Sequence, residues 1–301
     1  MSNSLAGKTI FITGGSRGIG LAIAKRAAAD GANIVIAAKT VEPHPRLAGT
    51  IHSAAAEIEA AGGHVLPVAC DIREEDQVEA AVAAAVERFG GIDICINNAS
   101  AIRLTGTLDT EVKRFDLMFG VNARGTFLTT QKCLPHLRLA TNPHVLMIAP
   151  PLDMEERWFA PHVAYSIAKY GMSLCVLGMA GEFRADGIAV NALWPRTAID
   201  TAAMNEFQDG MYTSQALRSP AIMADSAHAV LTMPSSAGTG RFYIDDEVLT
   251  ARGITDIAAR YNPPGVADED VSPDFFVRSL REIRQANGGQ EPLTAVVGNV
   301  A

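Results

Sequence analysis

The chain has 301 residues, a mass of 31.8 kDa, 48% apolar residues and 19% charged residues. This composition is typical of one large α/β domain with a substantial core. The 33 acidic residues outnumber the 25 lysines and arginines, so the net charge is −8. That balance argues against nucleic-acid binding and against a polybasic membrane anchor, because both need a positively charged surface.

Two features predict where the protein resides. Charged residues interrupt every apolar stretch before the roughly 18 to 20 residues of a membrane span, and residues 1–8 lack the apolar core of a secretion signal. We therefore expect a soluble, cytoplasmic protein with no membrane partner. The cysteines have no C-x-x-C spacing, which favours reduced packing thiols over zinc ligands or disulfides; they are Cys70, Cys95, Cys133 and Cys175.

Strand patterns alternate with helix patterns along the chain. The strand candidates are short, β-branched, apolar runs at 8–13, 33–37, 65–70, 92–96, 144–148, 188–192 and, more weakly, 241–245. Helical periodicity marks 21–28, 53–61 and 77–89. Strands that alternate with helices indicate an α/β fold with a doubly wound, parallel sheet of about seven strands and helices on both faces.

The pattern changes in the second half of the chain. Between about 198 and 236 the strand signal disappears, and Met, Ser, Pro and Ala mix with weak helical periodicity. We expect a mobile lid there. The predicted organisation is a single dinucleotide-binding domain at 1–260 that includes this lid, followed by a C-terminal extension or tail at 261–301.

The first strand leads into a glycine-rich turn with the spacing G-x-x-x-G-x-G. Glycines allow the chain to turn sharply, to approach a pyrophosphate and to pack the following helix closely on the strand. Because the turn joins a strand to a helix, we favour a Rossmann-type cofactor site over a simple loop. The candidate cofactor-binding residues in the turn are Gly14, Ser16, Arg17, Gly18, Ile19 and Gly20.

Residues at the end of the second strand indicate which dinucleotide binds. An acidic residue there would accept the ribose 2′-hydroxyl, but this chain has Lys39. Lys39 and Arg17 could flank a 2′-phosphate, which favours NADP(H) over NAD(H); the alternative is that both are solvated surface cations. Asp71 closes the third strand, where it would either bind the adenine amino group or cap the next helix.

Three asparagines are further candidates. Asn97 and Asn98 end the fourth strand, where amides can tie neighbouring strands together and line a nicotinamide cleft. Asn122 lies in a helical stretch, where a buried amide needs a hydrogen-bond partner. It would either link helix and strand or hold a water molecule in a proton relay.

Tyr165 and Lys169 form the strongest candidate for a catalytic pair. Residues four apart share one helix face, and a nearby ammonium group favours the phenolate over the phenol. A phenol with a depressed pKa suits proton transfer to a carbonyl oxygen. The alternative is an ordinary exposed pair, but the position downstream of the glycine turn favours catalysis.

Taken in order, the glycine turn, Asn97-Asn98-Ala99, Asn122 and Tyr165-x-x-x-Lys169 resemble the short-chain dehydrogenase/reductase family over roughly residues 5–250. The resemblance implies that Tyr165 transfers a proton and that Lys169 binds the nicotinamide ribose and lowers the pKa of Tyr165. It also implies that Asn122 holds a relay water and that Pro195 lies beside the nicotinamide. Members commonly form dimers or tetramers, so a homodimer or homotetramer is expected, with the apolar run at 175–179 as one candidate interface.

The sequence departs from the family where a serine would bind the substrate oxygen. Ala149 and Pro150 occupy that stretch, and neither side chain can donate a hydrogen bond. Ser166 would point away from the site, since one residue turns a helical side chain by roughly 100°. Asp153 and His162 are weaker candidates for the missing donor.

A second departure is Arg196, where the family usually has glycine. Arg196 would either bind an anionic substrate or cover the lid as a surface residue. Four large apolar residues could line an apolar substrate pocket: Trp158, Phe159, Met204 and Met211. A lid packed on the core would use the same residue types.

The sequence therefore predicts an NADP(H)-dependent oxidoreductase that interconverts a hydroxyl and a carbonyl on a small, fairly apolar substrate, without a metal. The alternative is a catalytically impaired NADP(H)-binding sensor or scaffold that lacks the usual serine. Several runs resemble a branch of the family whose animal members carry a sterol-carrier domain after the reductase domain. No such domain is expected here.

Overall fold

The protein is described by a computed structural model that covers residues 4–43, 48–205 and 216–286. The strands are β1 Thr9–Thr13, β2 Asn33–Ala38, β3 His64–Ala69, β4 Ile94–Asn97, β5 His144–Met147, β6 Ala189–Trp194 and β7 Phe242–Ile244. They form one parallel sheet in the order β3-β2-β1-β4-β5-β6-β7. The predicted seven-stranded, doubly wound sheet is confirmed.

Helices cover both faces of this sheet. They are α1 Gly18–Ala28, α2 Ile51–Ala60, α3 Glu75–Phe89, α4 Val112–Phe119, α5 Gly125–Leu137, α6 Val163–Glu182, α7 Ala202–Asn205, α8 Ala221–Leu231, α9 Asp245–Ala251, α10 Ile257–Tyr261 and α11 Leu280–Ala286. Alternate residues of β1 enter different cores: Ile10 and Ile12 pack with α1, α2 and α8, while Phe11 packs with α3, α5 and α6. This alternation explains why the buried strands read as continuous apolar runs.

The strand order reverses beside β1, because β2 lies on one side of it and β4 on the other. In an open parallel sheet, a reversal of this kind opens a crevice at the carboxyl ends of the strands, where ligands bind. The glycine turn after β1 and the residues after β4 therefore meet at one place.

Helix α6 is the longest in the described chain and carries the Tyr165 and Lys169 pair. It is long and apolar enough to cross a membrane, with a mean hydropathy of 1.3, but 56% of its most apolar window is buried inside the fold. That burial is typical of a helix that forms part of a protein core.

The structure describes parts of the predicted lid and of the predicted C-terminal extension. Helix α8, inside the predicted lid, is a core helix, with Ile222 and Ala227 fully buried. Residues 206–215 of that lid lie outside the described residues. In the predicted extension, Phe276 is fully buried among aromatic rings, so at least this part packs against the domain.

The four cysteines are free. Cys70, Cys95 and Cys133 are buried in the core between the sheet and helices α3, α5 and α6, while Cys175 is half-buried beside them. They contribute to packing there, as small apolar side chains do.

Candidate active site

The glycine turn brings three parts of the chain into close contact. Gly14 has a φ of +69°, and a Cβ atom there would lie 2.8 Å from the Cα atom of Ala99. A Cβ atom on Gly20 would lie 2.4 Å from Nδ2 of Asn98 and 2.7 Å from the carbonyl oxygen of Gly14. Both positions therefore require glycine if α1 is to start directly against the turn.

Asn98 fastens this turn to the end of β4. Its Nδ2 atom donates to the carbonyl oxygens of Thr13 and Gly14, both at 3.0 Å. The Thr13 hydroxyl oxygen accepts in return from the amides of Asn98 and Ala99, both at 3.1 Å. Asn97, by contrast, donates to the Thr130 hydroxyl at 2.9 Å and ties β4 to α5.

A cavity of about 460 Å³ opens at the carboxyl ends of the strands. Its wall contains the glycine turn, the ends of β2 and β3, the chain after β4, and parts of α6 and β6. Most of the predicted site residues lie on it: Gly14, Ser16, Arg17, Gly18, Ile19, Lys39, Asp71, Asn98, Tyr165, Lys169 and Pro195. Gly20 lies beneath this wall, packed against Asn98.

One end of the cavity has an excess of positive charge. Arg17 and Lys39 line it; Lys39 is exposed, and the Arg17 Nε atom is buried with no hydrogen-bond partner among the described residues. Asp71 is the acidic residue on this part of the wall, and Arg73 donates to its carboxylate at 2.6 and 3.0 Å. This bonding lowers the pKa of Asp71 below its usual value.

The other end contains the Tyr165 and Lys169 pair, so the structure brings both ends of the predicted site into one cavity. Tyr165 is 4% exposed and Lys169 is 2% exposed. The Lys169 ammonium donates to the carbonyl oxygen of Ile148 at 3.0 Å and lies 5.1 Å from the ring centre of Trp194. Burial lowers the pKa of Lys169 to about 7, while the negative charge of Asp274 opposes that shift. The pair is thus buried rather than exposed.

Asn122 lies in a short π-helical turn, Gly120–Arg124, and is fully buried. Its Oδ1 atom accepts from the amide of Ala101, and its Nδ2 atom donates to the carbonyl oxygen of Ala101, both at 2.9 Å. The side chain therefore links this turn to the segment after β4. It is not on the cavity wall, and its predicted role in a water relay stays a prediction.

The residues around the expected serine do not supply a hydroxyl to the cavity. Ala149 is fully buried and, like Pro150, lies off the cavity wall. Ser166 donates to the carbonyl oxygen of Trp158 at 2.6 Å, so it faces away from the site as expected. The Asp153 carboxylate accepts from the Glu155 amide and is also off the wall.

His162 packs close to Tyr165, with 5.8 Å between their ring centres. It is 5% exposed, and its Nε2 atom has no hydrogen-bond partner in the described part of the chain. Burial lowers the pKa of His162, which favours the neutral ring at neutral pH. The ring supports the aromatic packing around Tyr165 but does not line the cavity.

Both interpretations of Arg196 were wrong. Its side chain is only 6% exposed and points into the core, where its Nε atom donates to Asp246 at 2.6 and 2.8 Å and its Nη2 atom donates to Glu247. These two carboxylates raise the pKa of Arg196 despite its burial. The side chain neither faces a substrate nor covers a lid.

The predicted apolar pocket was correct only in part. Met204 lines the cavity. Trp158 and Phe159 lie off its wall and pack in the core beside Phe276 and Tyr170, and Met211 lies outside the described residues.

Among the wall residues that sequence reasoning missed are Asp274 and Phe275, which come from the last part of the described chain. They follow β7 by about thirty residues, in a segment between α10 and α11 that is neither strand nor α-helix. The only local signal is the acidic and aromatic run Pro273-Asp-Phe-Phe276. Such a run does not reveal its distance from Tyr165.

Residues 8–211 match the short chain dehydrogenase family. The chain belongs to this family. It is 57% identical to hydroxysteroid dehydrogenase-like protein 2 from Danio rerio over 276 residues, which are 92% of this chain and 65% of that protein. A Xanthomonas campestris protein of known crystal structure is 58% identical in sequence, with a TM-score of 0.87. That match covers 92% of this chain and 100% of the other. The chain thus spans slightly less than two thirds of the Danio rerio protein.

Two more distant neighbours are known with a nicotinamide dinucleotide. A metagenomic short-chain oxidoreductase in complex with NADP is 25% identical, with a TM-score of 0.65 over 81% of this chain and 96% of that one. A Mycobacterium paratuberculosis short chain dehydrogenase bound to NAD is 20% identical, with a TM-score of 0.68 over 80% and 97%. One of these neighbours thus binds NADP and the other binds NAD.

The residues present fit such a cofactor. The turn at Gly14 and Gly20 leaves no room for side chains beside α1, which lets backbone amides approach a pyrophosphate. The unpartnered Arg17 Nε atom provides a donor at the positively charged end. At the other end, Tyr165 and Lys169 lie on the wall of the same cavity.

Proposed function

We propose that this protein is an NADP(H)-dependent oxidoreductase that interconverts a hydroxyl and a carbonyl group on a small, fairly apolar substrate. The observation that carries this proposal is the placement of Tyr165 and Lys169 on the wall of the cavity that begins at the glycine turn. An apolar substrate fits the remainder of that wall, which includes Ile102, Leu117 and Phe275.

Each part of the site has a separate role in the proposed reaction. Bound NADP(H) supplies or accepts the hydride at its nicotinamide ring. Backbone amides of the glycine turn and the N-terminus of α1 hold the pyrophosphate. Tyr165 gives a proton to the substrate oxygen during reduction and takes it back during oxidation. A protonated Lys169 favours the phenolate form of Tyr165, because opposite charges stabilise each other strongly in a buried site.

The preference for NADP(H) rests on charge. Three cationic side chains lie at or near the end of the cavity that would hold the adenosine of the cofactor: Arg17, Lys39 and Arg73. The acidic residue on the wall there is Asp71, and its carboxylate is already paired with Arg73. A 2′-phosphate would meet this excess of positive charge, whereas NAD(H) offers only a hydroxyl.

Titration with NADPH and NADH tests this preference. We expect NADPH to bind more tightly and to quench Trp194, which lines the cavity. Lys39→Ala should weaken NADPH binding about tenfold, equivalent to about 1.4 kcal/mol, and leave NADH binding unchanged. Lys25→Ala is the matched control, because Lys25 of α1 pairs with Glu57 of α2 at the surface. Equal affinity of the unsubstituted protein for the two dinucleotides would refute the preference.

We also infer that the chain assembles as a homodimer or homotetramer. In the run at 175–179, Val176 and Met179 are core residues, but Leu177 is 39% exposed, and Leu174 and Ile167 on the same helix are 60% and 42% exposed. Phe127 on α5 is 51% exposed. Burial of these side chains against a second copy would stabilise an assembly.

Sedimentation of the purified protein tests this assembly. We expect at least a dimer at micromolar concentration, and Leu174→Glu should shift the distribution toward monomer by placing a charge in the contact. Glu182→Ala, an exposed position at the end of the same helix, serves as the control. A monomeric unsubstituted protein would rule out the inference.

A further inference from the structure

Residues 271–278 form a strap across the carboxyl end of β6. The amide of Ala198 donates to the carbonyl oxygen of Ser272 at 2.9 Å, and the amide of Asp274 donates to that of Arg196 at 3.0 Å. Trp194 adds a side-chain bond, from Nε1 to the carbonyl oxygen of Phe275 at 2.8 Å. These bonds on both sides of residue 274 fix the strap where the cavity wall is formed.

Phe276 shows that the strap is held in one conformation. Its φ is +67°, a left-handed geometry that is costly for a bulky residue. The ring is nevertheless fully buried, with ring centres of Tyr170 at 5.4 Å, Trp194 at 6.0 Å and Tyr165 at 6.1 Å. Packing of this ring compensates for the backbone strain and positions the two preceding residues.

Those two preceding residues face the reaction centre. Asp274 and Phe275 line the cavity together with Tyr165 and Lys169, and the Phe275 ring centre lies 6.3 Å from that of Tyr165. Asp274 is also close enough to Lys169 for their charges to interact. A carboxyl group from the far end of the chain therefore shares the wall with the proposed acid/base pair.

Carbonyl reduction places growing negative charge on the substrate oxygen, and a hydrogen bond to that oxygen in addition to the one from the acid lowers the barrier. Ala149 and Pro150 cannot supply it. We propose that Asp274 supplies it, by hydrogen-bonding the reacting oxygen of the substrate beside Tyr165. This inference rests on the oxidoreductase function proposed above and adds a catalytic residue to that site.

The protonation state of Asp274 fits this role. Burial and the neighbouring Asp245 carboxyl raise the pKa of Asp274 to about 7, although the Phe275 amide, which donates to Oδ1 of Asp274 at 2.6 Å, and the charge of Lys169 act in the opposite direction. Near neutral pH the protonated carboxyl can donate to a carbonyl oxygen, and the ionised carboxylate can accept from a substrate hydroxyl. The proton that the substrate gains still comes from Tyr165, the hydride goes to the carbonyl carbon, and the proton of Asp274 stays on its carboxyl group.

The test compares two replacements that differ in hydrogen bonding. A panel of aliphatic and aromatic aldehydes and ketones is reduced with NADPH by the unsubstituted protein, Asp274→Ala and Asp274→Asn. We expect Ala to lower kcat/KM by about 10²–10³-fold and Asn, whose amide both donates and accepts, to stay within about tenfold. NADPH affinity should change less than about threefold in both variants.

Asp270→Ala is the matched control, because Asp270 is exposed, pairs with Arg281 near the strap and lies off the cavity wall. Turnover by Asp274→Ala within about threefold of the unsubstituted protein overturns the inference. Equally large losses of kcat/KM in Asp274→Ala and Asp274→Asn also overturn it. Both variants remove the carboxylate, so equal losses would come from the missing charge near Lys169 and not from a hydrogen bond to the substrate. If thermal melting shows that Asp274→Ala unfolds, Asp274→Leu replaces it with a side chain of similar size.

Turnover by the unsubstituted protein and by Asp274→Ala, compared side by side, separates this inference from the function on which it rests. Turnover that survives in Asp274→Ala refutes only the role of Asp274. Binding of NADPH without turnover of any compound refutes the oxidoreductase function and this inference together, and it would favour the sensor or scaffold alternative.

Discussion

Replacement of Tyr165 by phenylalanine is expected to lower kcat for carbonyl reduction by about 10²–10⁴-fold, the usual contribution of a positioned acid or base. The change removes one hydroxyl and keeps the ring, which packs against His162, Phe275 and Phe276. The fold and the glycine turn are untouched. NADPH affinity should therefore change by less than about threefold.

Tyr170→Phe is the control for this experiment. Tyr170 lies on the same helix, but its hydroxyl donates to the carbonyl oxygen of Asp153 and it is off the cavity wall. Its loss should reduce stability modestly and leave turnover close to normal. Turnover is followed by the absorbance of NADPH, and binding by its fluorescence. If Tyr165→Phe retains full turnover, another group transfers the proton and the proposed mechanism is wrong.

The centre of the sheet was predictable because strands β1, β2, β4, β5 and β6 are buried on both faces. Ile10, Phe11 and Ile12 enter two different cores, so all three must be apolar, and the sequence shows this without any knowledge of the partners. The edge strand β3 is the least buried, and Pro67 within it is tolerated because an edge strand leaves some amides unpaired.

The parts of the site that depend on local spacing were also predictable. Gly14 and Gly20 are fixed by contacts within one turn and its neighbour, and Tyr165 and Lys169 lie one helical turn apart. The chain after residue 260 behaves differently. Asp274 reaches the cavity through backbone bonds to residues about eighty positions earlier, and no periodicity in its own segment encodes that distance.

The burial of helix α8 and of Arg196 could not be predicted for the same reason, because it depends on contacts with distant parts of the chain. Most residues of α8 are small or apolar, a composition that suits a lid or a core, and only its contacts with α1, α9 and the sheet decide between them. Arg196 was interpreted as a ligand-binding or surface residue because arginine is seldom buried. Its partners Asp246 and Glu247 lie fifty residues further along the chain.

Arg196→Ala is expected to lower the free energy of unfolding by about 3–5 kcal/mol, the usual cost of leaving a buried charge without its partner. Asp246 would lose the donor at 2.6 and 2.8 Å, although Arg218 lies 3.9 Å away and offsets part of the cost. Urea unfolding followed by circular dichroism measures the effect. Arg278→Ala is the control in the same region, because Arg278 is exposed in a pair with Glu155, and its loss should cost at most about 1 kcal/mol.

A double-mutant cycle separates a buried ion pair from a general packing defect. If Arg196 acts mainly through Asp246, then Asp246→Ala in the Arg196→Ala background should cost less than in the unsubstituted protein, with an interaction energy of about 1–3 kcal/mol. Additive losses would contradict the ion pair. Since the carbonyl oxygen of Arg196 holds the amide of Asp274, the core charge network also supports the position of the strap at the cavity.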